Sequence, residues 1–112
     1  MNPAFVALGG NLDQPAARLL RVMAELDDLP QTRLLRVSSL YRTAPVGYDG
    51  QPDFINAVAR VDTTLTPEAL MAALLACEAR HGRVRAERNG PRTLDLDLLL
   101  YQDRMLDDRF VT

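Results

Sequence analysis

The chain has 112 residues, 47% hydrophobic content and a net charge of −2, values typical of one small globular domain. All 13 basic residues are arginines, which excludes a P-loop lysine and lysine Schiff-base chemistry. A single cysteine and a single histidine exclude an intrachain disulfide and a zinc site built from several such ligands. The chemistry must therefore rest on carboxylates, arginines, hydroxyl groups and the backbone.

Charge balance and hydropathy also argue against two kinds of partner. A general nucleic-acid-binding protein normally has a basic excess, whereas this chain is slightly acidic. The sequence has neither a basic-then-apolar leader nor an apolar run close to about 18 residues, so we expect no targeting or membrane-spanning segment. The expectation is a cytoplasmic monomer.

The first part of the chain predicts a strand, a helix and a second strand. The apolar run at residues 4–8 stops at two glycines, as a buried strand before a tight turn would. Pro15 suits the first position of a helix, with Asp13 as a candidate cap, and apolar residues then recur at helical spacing. A second strand is predicted from Arg33 to Tyr41.

The remainder predicts two more strands and a second helix. A loop with two prolines and two glycines leads to a strand from Phe54 to Thr63 with alternating faces. Thr66, Pro67 and Glu68 form a strong helix start, and a fourth strand is predicted over 94–101. The order β-α-β-β-α-β indicates an α+β, ferredoxin-like fold in which two helices pack on one face of an antiparallel sheet.

Asp95 and Asp97 lie near the start of the fourth predicted strand. Residues two apart in a strand share a face at about 6.6 Å, so both carboxylates project side by side while Leu96 enters the core. Like charges on one face repel and require a nearby cation. Mg²⁺ is suitable, since one or two carboxylates together with substrate phosphates commonly hold it. The alternative is a solvated polar face whose aspartates pair with arginines.

An arginine cluster precedes these aspartates: five of the 13 arginines fall between Arg80 and Arg92, with a local charge of +4. Guanidinium groups bind phosphate oxygens through paired hydrogen bonds. The alternative is a solvated basic loop, or salt bridges to the two aspartates. Beside carboxylates suited to Mg²⁺, the cluster indicates phosphoryl transfer, in which positioning and charge neutralisation supply most of the catalysis.

Phe54 and Asn56 share one face at the start of the third predicted strand. Phe54 offers a stacking surface, and Asn56 offers donors and an acceptor to the edge of a flat polar heterocycle. Residues 43–47 on the preceding loop add backbone groups. The alternative is an aromatic residue at the sheet edge beside an asparagine that stabilises a turn.

Three further features are given structural interpretations. Residues 9–11 (Gly-Gly-Asn) match neither a dinucleotide fingerprint nor a Walker A loop and are interpreted as a turn. Cys77 lies on the apolar stripe of the second helix and is predicted to be in the core. His81 is expected to interact with the C-terminus of that helix.

Five stretches together resemble the 6-hydroxymethyl-7,8-dihydropterin pyrophosphokinase family. They occur in the family's order over nearly the whole chain, at residues 7–12 (ALGGNL), 38–45 (SSLYRTAP), 51–57 (QPDFINA), 82–85 (GRVR) and 90–97 (GPRTLDLD). The resemblance implies an enzyme of folate biosynthesis: ATP gives its β,γ-pyrophosphoryl group to the pterin hydroxymethyl oxygen, and AMP is released.

The resemblance also implies site residues by position in these motifs. Asp95 and Asp97 would hold two Mg²⁺ ions and, with Arg83 and Arg92, form the catalytic set. ATP would be bound by Glu78, Arg83, Arg85, Arg92 and Leu98. The pterin would be bound by Thr43, Ala44, Val46, Phe54 and Asn56.

Two departures from the family pattern give further expectations. Asn89 stands where some members have a tryptophan, and the chain stops at Thr112 where members continue. We therefore expect one pyrophosphokinase domain over residues 1–112 that is truncated at its C-terminus. The alternatives are an inactive fragment of the enzyme or a non-catalytic ferredoxin-like module that binds a ligand or regulates.

Overall fold

The computed structural model describes residues 1–45, 50–82 and 91–102, and the backbone of residues 104–105. The elements in chain order are β1 (Asn2–Gly10), α1 (Pro15–Asp27), β2 (Thr32–Val37), β3 (Tyr41–Thr43), β4 (Phe54–Thr63), α2 (Pro67–Arg80), β5 (Asp95–Tyr101) and β6 (Arg104–Met105). Every strand pairing is antiparallel. The sheet order is β2-β4-β1-β5-β6, with β3 also paired to β4, which confirms the α+β ferredoxin-like prediction.

The second predicted strand is divided, so the prediction of one strand over 33–41 is wrong in its extent. β2 ends at Val37 and β3 begins at Tyr41. The hydroxyl of Ser38 accepts a hydrogen bond from the Val58 amide at 2.8 Å, and the Ser38 amide donates to the Val58 carbonyl. Because a side chain takes the place of a backbone carbonyl there, the ladder is interrupted. The short strand β6 was not predicted.

Helix α2 begins as its sequence predicts, whereas α1 lacks the predicted cap. The Thr66 hydroxyl accepts a hydrogen bond from the Ala69 amide at 3.1 Å, and Pro67 is the first helical residue of α2. In α1, Pro15 is first, but the cap position is Gln14 and makes no side-chain hydrogen bond. Asp13 and Gln14 both have φ of +57°, so Asp13 does not cap the helix and that prediction is wrong.

The core lies between one face of the sheet and both helices. Alternation along β1, β4 and β5 turns every second residue towards α1 and α2. The residues buried in this single cluster include Ala4, Val6, Leu8, Leu19, Val22, Leu26, Ala57, Ala59, Val61, Leu70, Leu74, Cys77, Leu96 and Leu98. The other face of the sheet is therefore open to carry polar groups. In the described part of the chain, neither helix is long and apolar enough to cross a membrane.

Candidate active site

The open face of the sheet brings two of the predicted site residues, Asn56 and Asp95, into one row. The strand registers pair Asn56 with Gly9, and Gly9 with Asp95. Partners in antiparallel register share a face, so Asn56 and Asp95 flank Gly9 on two different strands. Strands are about 4.8 Å apart, which places these two strands about 10 Å from each other. The glycine between them has no side chain, so the Asn56 side chain can lie over its buried backbone.

Asp95 and Asp97 both lie on this open face, as their spacing predicts, and the residues between and beyond them are buried. Arg92 Nη1 donates to Asp95 Oδ2 at 3.1 Å, and the two side chains are 15% and 24% exposed. The aspartate–arginine pairing that was the alternative to a metal site is thus present at Asp95. Two partly buried carboxylates on one face also fit a hard oxygen-seeking cation, so the donor set is suited to Mg²⁺.

Arg92 also contacts the other side of the site. Its guanidinium carbon lies 5.5 Å from the centroid of the Phe54 ring, within range of a cation–π interaction. The same side chain therefore touches an aromatic residue of β4 and a carboxylate of β5. Sequence reasoning placed Arg92 with the phosphates and did not anticipate its contact with Phe54.

The amide of Asn56 is oriented by a neighbouring hydroxyl. Asn56 Nδ2 donates to Thr43 Oγ1 at 2.9 Å, and β3 holds Thr43 in register with Phe54. Asn56 Oδ1 lies over Gly9, where a Cβ on that glycine would be 3.0 Å away. The amide oxygen therefore lies against Gly9 and is a hydrogen-bond acceptor on this face of the sheet. Ala44 is the exposed residue that follows β3.

Two residues predicted to bind ATP have buried side chains. Glu78 is 2% exposed, and its Oε2 accepts a hydrogen bond from the Leu96 amide at 2.6 Å. It thus holds β5 at the residue between the two aspartates. Leu98 is 7% exposed and packs in the core. Val46, Arg83 and Arg85 lie outside the described residues.

Sequence reasoning missed the role of Asn11, which it interpreted as part of a turn. Asn11 is 2% exposed and hydrogen-bonds both to Arg92 and to the loop before β4. Gly10 allows this approach, because a Cβ on it would lie 2.5 Å from the Thr93 carbonyl oxygen. A polar residue directly after two glycines at a strand end was the available signal.

A second polar cluster joins the two helices on the core side. Glu25, Cys77 and His81 form the one group of three potential metal ligands within the described residues. Arg18 Nη1 is 3.1 Å from His81 Nδ1, and a guanidinium can only donate, so Nδ1 accepts. His81 Nε2 then holds the proton and donates to Glu25 at 2.5 Å. The cluster therefore forms a hydrogen-bonded bridge between α1 and the C-terminal end of α2.

The titration of this cluster follows from its contacts. Burial alone would raise the pKa of Glu25, but hydrogen bonds from His81 and Arg80, together with the electrostatic attraction of both side chains, outweigh burial and lower it. Burial, with the nearby Glu25 charge, raises the pKa of Cys77 to about 11. Cys77 is 1% exposed and in the core, as predicted.

The ferredoxin-like sheet with paired carboxylates beside an arginine fits the class of metal-dependent phosphoryl-group transferases. Comparison with known proteins identifies the family. The family model described as 7,8-dihydro-6-hydroxymethylpterin-pyrophosphokinase matches residues 5–112. The chain belongs to this family, which confirms the predicted membership.

Three relatives named 2-amino-4-hydroxy-6-hydroxymethyldihydropteridine pyrophosphokinase illustrate the similarity. The Pseudomonas putida protein is 52% identical over 104 residues, covering 93% of this chain and 86% of that protein. The Pseudomonas aeruginosa protein is 48% identical over 103 residues, covering 92% and 64%. The Haemophilus influenzae protein is 41% identical over 112 residues, covering 100% and 70%. The predicted class, an ATP-dependent pyrophosphokinase of folate biosynthesis, is confirmed for the family, whose enzymes use magnesium.

Proposed function

We propose that this chain transfers the β,γ-pyrophosphoryl group of ATP to the hydroxymethyl oxygen of 6-hydroxymethyl-7,8-dihydropterin. The hydroxyl oxygen would form a bond to the β-phosphorus, the bond from that phosphorus to the α,β-bridging oxygen would break, and AMP would leave as the hydroxyl proton is released. The observation that supports this most is the row formed by Asn56, Gly9 and Asp95. In this row the Asn56 amide, which can hydrogen-bond a heterocycle, and the Asp95 carboxylate, which is suited to a metal, lie on strands about 10 Å apart.

The pterin half of the site would use residues on β3, β4 and the loop between them. Phe54 would stack on the ring, while the amide oxygen of Asn56, held by the Thr43 hydroxyl, would accept a hydrogen bond from its edge. Ala44 and Val46 would line the same pocket. Gly9 leaves room for the Asn56 amide, because a Cβ on this glycine would lie 3.0 Å from Asn56 Oδ1.

The nucleotide half would use the start of β5 and the arginines before it. Asp95 and Asp97 would hold two Mg²⁺ ions, which when bound neutralise charge on the triphosphate. Arg92, with Arg83 and Arg85, would donate hydrogen bonds to phosphate oxygens. Leu98 would contact the nucleotide through its backbone. Glu78 would serve the nucleotide site by holding the Leu96 amide.

The remaining features of the proposal concern the whole molecule. Residues 1–112 would act as one domain and as a monomer, in the cytoplasm. Its partners would be the two small substrates, with neither nucleic acid nor a membrane surface involved, which agrees with a net charge of −2.

The test separates binding from turnover. The chain is first titrated with α,β-methylene-ATP with and without Mg²⁺, and then supplied with ATP, Mg²⁺ and hydroxymethyl-dihydropterin while AMP is measured. We expect affinity that depends on Mg²⁺ and AMP release that depends on the pterin. Binding without AMP release would indicate an inactive fragment. Affinity that is independent of Mg²⁺ would favour a non-catalytic ligand-binding module.

A further inference from the structure

Asn11 connects two separate segments through a fully engaged side chain. Its side-chain Oδ1 accepts a hydrogen bond from the backbone N–H of Arg92 at 2.9 Å. The backbone N–H of Asn11 donates to the Arg92 carbonyl at 3.0 Å. Its Nδ2 donates to Gln51 Oε1 at 2.7 Å and to the Pro52 carbonyl at 3.0 Å. With the side chain 2% exposed, water cannot substitute readily for these bonds.

The two segments that Asn11 joins belong to different halves of the site. Gln51 and Pro52 lead directly into β4, two residues before Phe54. Arg92 stacks over Phe54 and pairs with Asp95 at the start of β5. One buried side-chain amide therefore ties the loop that leads into the pterin side to the segment that carries Arg92 on the phosphate side.

We propose that Asn11 is a positioning residue that fixes the pterin subsite relative to the metal and phosphate subsite. The inference rests on the proposed function. Only an amide supplies an acceptor for the Arg92 N–H and two donors for the Gln51 and Pro52 oxygens. An aspartate would present a charged oxygen to two acceptors. A misplacement of about 1 Å between reacting groups costs up to about 10²-fold in rate. The hydrogen bonds of the Asn11 side chain, which we call the Asn11 clamp, should therefore affect turnover directly.

A positioning role has a kinetic signature that a general structural role lacks. Asn11 lies outside the row of groups assigned to either substrate, so each half should still bind its own ligand when the clamp is altered. What is lost is the alignment of the acceptor hydroxyl with the triphosphate. Turnover should fall while the separate affinities are kept.

The experiment compares Asn11→Asp with Asn2→Asp, the same chemical change at the opposite end of β1. We measure kcat, thermal unfolding, and the separate affinities for a pterin analogue and for α,β-methylene-ATP with Mg²⁺. We expect kcat of Asn11→Asp to fall at least 10-fold while both affinities stay within threefold, and Asn2→Asp to keep wild-type kcat. Wild-type kcat in Asn11→Asp, or an affinity that falls in proportion to kcat, overturns the proposal.

Two further measurements keep the inference falsifiable. If Asn11→Asp does not fold, two Gln51 variants take its place. Gln51→Leu should lose turnover, whereas Gln51→Glu keeps an acceptor for Asn11 and should retain more turnover. Equal turnover in the two variants overturns the proposal.

If the wild-type chain releases no AMP, the proposed function fails, and the hydrogen bonds of Asn11 are then tested by hydrogen exchange. Faster exchange of the Arg92 amide in Asn11→Ala, with the core still protected, supports the clamp, and unchanged exchange overturns it.

Discussion

Arg92 stacks on Phe54 and ion-pairs with Asp95 at the same time, with 5.5 Å from its guanidinium carbon to the ring centroid and 3.1 Å to the carboxylate oxygen. A planar, delocalised cation has several N–H donors, so it can bind a carboxylate while its charge lies near an aromatic ring. One residue therefore links the aromatic side of the proposed site to the carboxylate side. Its proposed role at the phosphates would draw on the same outward-pointing donors.

Arg92→Lys tests whether turnover requires the planar guanidinium group of Arg92 or only its positive charge. Lysine keeps the positive charge near Asp95 but loses the stacked plane and the paired donors. We expect kcat to fall about 10²-fold, the scale seen when one preorganised donor is lost, with a change in unfolding free energy below about 1 kcal/mol. Arg60→Lys is the matched control, because Arg60 pairs with Asp62 elsewhere in β4. Wild-type kcat in Arg92→Lys would show that charge suffices.

Both aspartates should be required for turnover. Asp97→Asn removes a proposed metal ligand, so we expect kcat to fall at least 100-fold. Asp95→Asn should lower kcat similarly but also cost about 1 kcal/mol, since it breaks the ion pair with Arg92. Activity assays and chemical denaturation measure both. Full turnover in both variants would contradict the carboxylate assignment.

The fold could be predicted because its signals are local and regular. Alternation fixed the extent of β4, and Thr66 with Pro67 marked the start of α2. The break at Ser38 could not be predicted, because it depends on a hydroxyl finding the amide of a residue 20 positions later. The failed Asp13 cap has the same origin: a left-handed backbone at residues 13 and 14 is not encoded in capping preferences.

The site was predictable in its residue types and less so in its contacts. The Asp95–Asp97 spacing gave a shared face directly, since strand periodicity is local. The contact of Arg92 with Phe54 and the bonds of Asn11 join residues 38 to 81 positions apart, which single-sequence patterns do not encode. The family resemblance predicted that Glu78 binds ATP, and its buried bond to the Leu96 amide could not be predicted because it depends on the register of helix and strand.

The neighbouring glycines should respond differently to the same substitution. In Gly9→Ala, the new Cβ would lie 3.0 Å from Asn56 Oδ1, a side-chain atom that can move at the cost of its orientation by Thr43. We expect pterin affinity to fall about tenfold, equivalent to about 1.4 kcal/mol, with little loss of stability. In Gly10→Ala, the Cβ would lie 2.5 Å from the Thr93 backbone oxygen, which cannot move alone, so we expect about 1–3 kcal/mol of destabilisation. Titration with a pterin analogue and thermal unfolding distinguish the two, and equal loss of stability would contradict the local explanation.

The bridge between the helices should make stability depend on acid pH through Glu25. Its pKa is lowered in the folded chain by hydrogen bonds from His81 and Arg80, despite the opposing effect of burial. A folded-state pKa below the unfolded value of about 4.5 means that the ionised carboxylate stabilises the fold above that pH and loses this contribution as pH falls through the folded pKa. We therefore expect Glu25→Gln to lower the melting temperature at pH 7 and to flatten its fall as the pH drops below 4.5. Asp28→Asn, which removes an exposed carboxylate from the end of the same helix, should leave the wild-type slope in place. A Glu25→Gln variant with an unchanged pH slope would show that this carboxylate does not couple protonation to folding.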